Sequence, residues 1–390
     1  MSQNQIVTVE FENHIAWVTI DNPPVNAASR HMRASLADAI KQVEPARVAV
    51  LIGAGRTFTA GGDMTEFDMP PQEPHLPDVV QMLEDSKTPF IAALHGTVLG
   101  GGFEIAMGCA WRIARTGTRF GLPEVNVGII PGAGGSQRLP RLIGMKAAIE
   151  MACGGQMIDA AALLELGGLD AITDDLHGFV QDFANNPPPQ PTPVRQRNVA
   201  ALPAQELETL KADIIKRSKG QQAPLDNFTA IGWATFPFDQ GQPMERSKHL
   251  AMRDTAESRS LRHAFFAGRS VAKPAAIKGA TPREITHIAI VGGGLMGAGI
   301  AVSCLNAGLK VSMVERDTKA ANAGRMRVAE ILDTAVKRGK ATKDQASARL
   351  ENFSASSDYT ATSTADLAIE AVFEDMAVKL GFQSTGRGDG

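Results

Sequence analysis

The 390-residue chain has little of what would tie it to an oxidising compartment, a metal or a nucleic acid. Its three cysteines, Cys109, Cys153 and Cys304, lie far apart and follow no metal-ligand spacing. Neither a disulfide framework nor a metal site is expected, and free thiols in a reducing, cytoplasmic compartment of bacterial type are. Net charge is −3 with no long basic run, which leaves no electrostatic footprint for nucleic acid. The first ten residues lack the basic-then-apolar order of a signal peptide, and the terminal Asp389-Gly390 is no peroxisomal address. One charge-free stretch, Ile288 to Leu309, is long enough to raise the question of a membrane span. It holds six glycines, three of them consecutive, which suits a strand, a turn and a helix and not a spanning segment.

What is present reads as an α/β protein of more than one domain. The length exceeds one ordinary core, and 44% apolar with 21% charged residues is an ordinary globular composition. Ile6–Glu10 and Ile15–Ile20 read as a hairpin that runs into a turn at Asn22-Pro23-Pro24. Met32–Val43 has helical spacing through Leu36, Ala39 and Ile40. Val48–Ile52 and Phe90–Leu94 are continuous apolar runs, as in strands buried on both faces. After the proline-rich 184–193, the chain from Leu207 to about Lys273 is polar, basic and helical in tendency, and reads as a solvated connector. A new domain opens with a strand near Ile285.

Two glycine clusters stand where a ligand could meet backbone amides. Leu99-Gly100-Gly101-Gly102-Phe103-Glu104 puts three glycines just before a helix, whose first amides have no partner inside it and attract negative charge. Ala60-Gly61-Gly62-Asp63 follows the 48–52 strand and offers a second donor. Two amides from separate loops are what a thioester carbonyl needs as it becomes enolate-like. Phe120-Gly121-Leu122-Pro123-Glu124 brings a second acid, and Gly128 to Leu139 a third glycine-rich run. Asp63 and Glu66 read as caps or surface groups.

In order, spacing and residue type over about 185 residues, these segments resemble the crotonase (enoyl-CoA hydratase/isomerase) family. The resemblance implies a spiral of ββα units over 1–185, an acyl-CoA thioester substrate, and an oxyanion hole from the Gly62 and Gly101 amides. It matches Glu104 and Glu124 to the two acids of true hydratases, Glu124 as proton donor to Cα and Glu104 as the group that orients and activates water. Hydration needs both tasks done, and neighbouring acids raise each other's pKa. Gly132, at a further expected helix start, would face the water. Where many relatives carry lysine, this chain has Thr65, which leaves the contact with the CoA phosphates open.

Downstream, the strand Ile288-Ala289-Ile290-Val291 leads into Gly292-Gly293-Gly294-Leu295-Met296-Gly297, a G-x-G-x-x-G in its strand-to-helix setting. A second strand ends in Glu315, where a ribose-binding acid that favours NAD over NADP is expected. Ala365 to Asp375 is similar to the fourth strand of the 3-hydroxyacyl-CoA dehydrogenase NAD-binding domain, which implies roles for Glu370 and Lys379 near the nicotinamide-side ribose. Ser260 to Arg269 resembles the segment joining both activities in multifunctional β-oxidation enzymes. The expected organisation is therefore a crotonase domain (1–185), a helical linker with crotonase C-terminal helices (186–284), and a partial Rossmann domain with a parallel sheet (285–390). No histidine follows His287, and the dehydrogenase family's Ser-Asn-Thr and His-Phe-Phe motifs are missing, so the second activity is expected to be absent. The expected function is hydration of trans-2-enoyl-CoA. Alternatives are Δ3,Δ2-enoyl-CoA isomerisation in the same site and a non-catalytic acyl-CoA or NAD binder. Family analogy splits between a thiolase partner and a homo-oligomer.

Overall fold

The computed structural model describes residues 6–271, 274, 277, 279–376 and 379. The chain separates into two compact units, Met1–Ala275 and Ala276–Gly390. The first is built on a six-stranded sheet made of β1 (Val7–Glu12), β2 (Ile15–Ile20), β3 (Val48–Gly53), β4 (Phe90–Leu94), β6 (Trp111–Arg115) and β9 (Ala171–Thr173), paired in that order. β1 and β2 form the antiparallel hairpin, Val7 opposite Ile20, and the remaining pairings are parallel. A smaller sheet joins β5 (Thr97–Leu99), β7 (Arg119–Gly121) and β8 (Ile158–Asp159).

The apolar run of β4 is buried throughout, and that of β3 but for the half-buried Ile52, because both sheet faces are covered. Side chains alternate across a strand. Ala49, Leu51, Ala92 and Leu94 accordingly join the main core beneath α1 (Arg30–Gln42). Val48, Val50, Ile91 and Ala93 join a second layer with Trp17, Trp111 and Ile113. That layer is closed by Leu176, Val180 and Ala184, one stripe at i, i+4 and i+8 of the Leu176–Asn185 helix. His177 of the same helix stacks on Trp17 at 4.5 Å between ring centroids, and Phe183 meets Trp111 edge-on at 5.7 Å. Burying each such Val or Leu contributes about 1.5–3 kcal/mol.

The first unit also contains the helices α2 (Leu76–Asp85), α3 (Gly101–Gly108), α4 (Gly135–Ile143), α5 (Phe238–Arg253) and α6 (Ala256–Val271). α5 and α6 lie in the stretch that reads as a solvated connector, yet they bury Phe238, Gly241, Glu245, His249, Met252, Ser258 and Arg262. Arg262 explains part of this: its guanidinium reaches Asp68 at 2.7 Å, the Arg253 carbonyl and the Ser258 hydroxyl. Arg253 and Arg262 are buried anchors, while Arg259 and Arg269 of the same stretch remain exposed.

The second unit is a four-stranded parallel sheet in the order β12 (Phe353–Ser356), β11 (Lys310–Val314), β10 (His287–Val291), β13 (Leu367–Glu370). This is the 3-2-1-4 order of a doubly wound nucleotide-binding sheet. The glycine-rich 292–297 segment joins β10 to the Leu295–Asn306 helix, so the charge-free stretch is a strand, a turn and a helix. Among the described residues no helix is long and apolar enough to cross a membrane.

Candidate active site

A cavity of about 450 Å3 in the first unit is lined by Gly62, Gly101, Glu104, Glu124 and Gly132 together, within the size range of small-molecule sites. Its floor is two loops that touch. The Leu99 amide donates to the Thr59 carbonyl and the Ala28 amide to the Gly61 carbonyl. A Cβ built on Gly101 would lie 3.3 Å from the Gly62 nitrogen, and one on Gly102 would collide with Thr59. Only glycine allows this approach. Gly101 opens α3 after the Gly100 cap, so its amide is one of those with no acceptor inside the helix. Neither the Gly62 nor the Gly101 amide donates to a described acceptor.

The two acids meet this cavity in unlike hydrogen-bonding surroundings. Glu104, in the first turn of α3, is 2% exposed. Its Oε1 accepts from the Ala133 and Gly135 amides, each at 2.7 Å. Burial raises its pKa, and those amides, with Arg138 and Arg246, pull it back. Glu124, in the Pro123–Val127 turn, has a buried Oε2 with no partner among the described residues. Burial first, then the charge of Glu104, pushes its carboxyl well above the ordinary range. Both carboxyls are raised, Glu124 the more strongly, so of the two Glu104 gives up its proton more readily. Glycine is again obligatory beside each: a Cβ on Gly100, where φ is +51°, would sit 2.7 Å from Glu124 Oε1, and one on Gly135 would sit 2.7 Å from Glu104 Oε1.

Gly132 does not open the helix as expected. α4 begins at Gly135, capped by Gly134, and the amides that reach Glu104 are those of Ala133 and Gly135. Gly132 instead makes room for His249, whose ring a Cβ there would meet at 2.5 Å. His249 Nδ1 bonds the Ile130 carbonyl at 2.7 Å, and burial lowers its pKa to about 4, so the imidazole is neutral. Asp63 caps the Met64–Glu66 turn through Thr65, and Glu66 pairs with Arg33 at 2.9 Å. Thr65 is therefore committed to the turn.

Residues from α5 also line the cavity: Arg246, His249 and Arg253. Glu245 lies behind them, its Oε1 accepting from Gly134 and its Oε2 from the Ser136 amide and hydroxyl. No motif marks these residues. The signal for them is that Phe238, Gly241, Glu245, His249 and Met252 fall at helical spacing, so a glutamate and a histidine occupy core positions of one apolar stripe.

In the second unit, Gly292 has φ +99°, and a Cβ on Gly297 would lie 1.9 Å from its carbonyl oxygen. The following helix starts at Leu295 with no side-chain cap, and Glu315 Oε1 accepts from the Gly293 amide at 2.7 Å. A tight glycine turn, free helix amides and an acid at the end of β11 fit a dinucleotide, the amides toward its pyrophosphate and Glu315 toward a ribose. Glu370 ends β13 and pairs with Lys379 at 3.3 Å. Gly294 has open space around its Cα. Among the described residues no cluster of ligating side chains could hold a metal.

Known proteins agree with this division. Residues 10–180 match the family model for enoyl-CoA hydratase/isomerase, and residues 287–384 that for the 3-hydroxyacyl-CoA dehydrogenase NAD-binding domain. A peroxisomal bifunctional enzyme from Danio rerio is 36% identical over 94% of this chain and 52% of its own length. The peroxisomal fatty acid beta-oxidation multifunctional protein AIM1 of Arabidopsis thaliana is 32% identical over 96% and 55%. The chain thus spans about half the length of these curated relatives. The solved structure of EchA1_1 from Mycobacterium paratuberculosis is 22% identical, with a TM-score of 0.50 over 67% of this chain and 96% of that one, a likeness of fold. The relatives overturn the expected cytoplasmic setting, since their names point to peroxisomes and glyoxysomes. Three reduced thiols separate reducing from oxidising compartments and do not tell one reducing compartment from another. The chain carries an enoyl-CoA hydratase/isomerase-family domain followed by a 3-hydroxyacyl-CoA dehydrogenase NAD-binding domain.

Proposed function

We propose that the first unit adds water to trans-2-enoyl-CoA thioesters, giving 3-hydroxyacyl-CoA. The observation that carries this reading is the pair of acids in unlike surroundings on one cavity, beside two unpaired loop amides. Glu104, ionised, takes a proton from water as the oxygen bonds to C3. Electrons from the C2–C3 double bond move onto the thioester oxygen, where the Gly62 and Gly101 amides accept the charge. Collapse of the enolate takes the proton of Glu124 at C2. Glu104 ends protonated and Glu124 ionised, and exchange with solvent resets the pair. With Thr65 committed to its turn, Arg246 and the exposed Arg269 on the cavity wall are the cations available to the CoA phosphates.

The test is the loss of crotonyl-CoA thioester absorbance. The protein should hydrate crotonyl-CoA, and Glu104→Gln and Glu124→Gln should each lower kcat by about 10²–10⁴-fold. A flat trace from the unaltered protein would remove the hydratase reading in favour of an acyl-CoA binder. Isomerisation of a 3-enoyl-CoA needs one proton shuttle, so activity that survives in Glu104→Gln but not in Glu124→Gln would assign that reaction to the site as well.

A further inference from the structure

His249 is a polar side chain on the apolar stripe of α5. It is 7% exposed, its ring lies on Gly132, and it makes a T-shaped contact with Phe67 at 6.1 Å between centroids. Among the described residues the ring has one hydrogen bond, between Nδ1 and the Ile130 carbonyl at 2.7 Å. A carbonyl oxygen only accepts, so Nδ1 carries the hydrogen, and in the neutral imidazole Nε2 is then a bare acceptor. Burial keeps the ring neutral. A buried acceptor without a donor costs free energy, and a donor that arrives with the ligand removes that cost.

That acceptor belongs to the site. The ring lines the same cavity as both acids. It rests against Gly132, whose peptide link to Ala133 supplies one of the amides that seat Glu104 Oε1. Imidazole and carboxyl thus flank one peptide unit. Neither neighbouring cation donates to Nε2: Arg253 Nη2 serves the Glu66, Phe67 and Met69 carbonyls, and Arg246 Nη1 turns to the Gly132 carbonyl at 3.5 Å.

We propose that His249 is a further catalytic residue of hydration, whose Nε2 accepts the hydrogen that the attacking water keeps. Of the two water hydrogens, one passes to Glu104 as the oxygen bonds to C3. The other stays on that oxygen and becomes the hydrogen of the C3 hydroxyl, held by Nε2 from start to finish. The ring itself takes no proton. Its contribution is orientation: with one hydrogen on Glu104 and one on Nε2, the lone pair of the water is aimed at C3. This inference rests on the hydratase reading of the site.

The experiment is calorimetry of 3-hydroxybutyryl-CoA and butyryl-CoA, which differ by the C3 hydroxyl, with the full chain carrying Glu124→Gln so that the hydroxyl is kept. Adding His249→Asn retains a donor for Ile130 and removes the Nε2 acceptor. It should weaken 3-hydroxybutyryl-CoA about five-fold, the worth of one hydrogen bond, and leave butyryl-CoA unchanged. His249→Gln, whose amide oxygen reaches the Nε2 position, should restore most of the loss. With Glu124 intact, His249→Asn should lower kcat for crotonyl-CoA by a similar factor and leave KM unchanged, since crotonyl-CoA has no hydroxyl to hold. Should His249→Asn not fold, the nitrogen NMR resonance of Nε2 in the unaltered ring decides: it should move with 3-hydroxybutyryl-CoA and not with butyryl-CoA. Equal weakening of both ligands would make His249 a packing residue. Unchanged affinity, or an unmoved resonance, would mean that Nε2 does not meet the hydroxyl. Each of these overturns the proposal. A chain that tells the two ligands apart but does not hydrate crotonyl-CoA would instead sink the functional reading and leave Nε2 as a hydroxyacyl-binding group.

Discussion

His249 shows how one buried residue couples stability to pH. Its pKa falls from 6.5 to about 4 on folding because burial penalises the cation. Between these values the unfolded chain binds a proton that the folded chain does not. Stability is therefore fully present above pH 6.5 and is lost as pH falls through the window, by roughly 3 kcal/mol in all. Chemical denaturation across this range should show the decline, and His249→Gln should remove about one proton's worth of the slope. An unchanged slope would mean that the imidazole takes up its proton alike in the folded and the unfolded chain. Gly135 offers a second test at this scale. A methyl there would meet Glu104 Oε1 at 2.7 Å and Pro131 Cβ at 2.8 Å, so Gly135→Ala should lower kcat at least about ten-fold, in line with the sensitivity of catalysis to small misplacements. Full activity in this variant would show that Glu104 does not depend on its seat.

At the scale of elements, α2 and α4 are joined by an ion pair that faces no solvent. Arg138 and Glu84 meet at 2.7 Å with side chains 1% and 4% exposed, and Arg138 lies 4.5 Å above the Phe238 ring from α5. Glu84 Oε1 also accepts from the Arg195 amide. Removing the acid leaves a guanidinium in the core, so Glu84→Gln should cost about 3–5 kcal/mol, read as a shift in the denaturation midpoint. A cost under ~1 kcal/mol would mean that water reaches Arg138. Elements differ in how legible they were. β4 spans Phe90–Leu94 as its apolar run reads, since a buried strand needs nothing but unbroken hydrophobicity. The first helix begins earlier than its periodicity, at Arg30, because Ser29 caps it by accepting from the Met32 amide. α5 escaped as a site element because its polar residues are satisfied by partners more than 100 residues away, which no local pattern records.

At the scale of the whole molecule, each unit keeps its own core and its own ligand chemistry. The second unit should bind NADH. Calorimetry on the full chain is expected to show binding that is tighter than that of NADPH, because Glu315 sits beside the glycine turn and would repel a 2′-phosphate. Glu315→Ala should narrow this preference by about ten-fold, the worth of one charged hydrogen bond. Equal affinity for both cofactors in the unaltered chain would remove Glu315 from that role.

The sequence by itself determined the chemical parts: two glycine loops, two acids, and a dinucleotide turn. Each is a local demand, because a close backbone approach or a helix start is written in a few adjacent residues. The protonation of those acids was decided by the tertiary structure alone. It depends on desolvation, on amides some 30 residues from Glu104, and on Glu245 from a distant helix. Such effects act through space and not along the chain, which is why a histidine and a glutamate in an apparently solvated connector became part of the site.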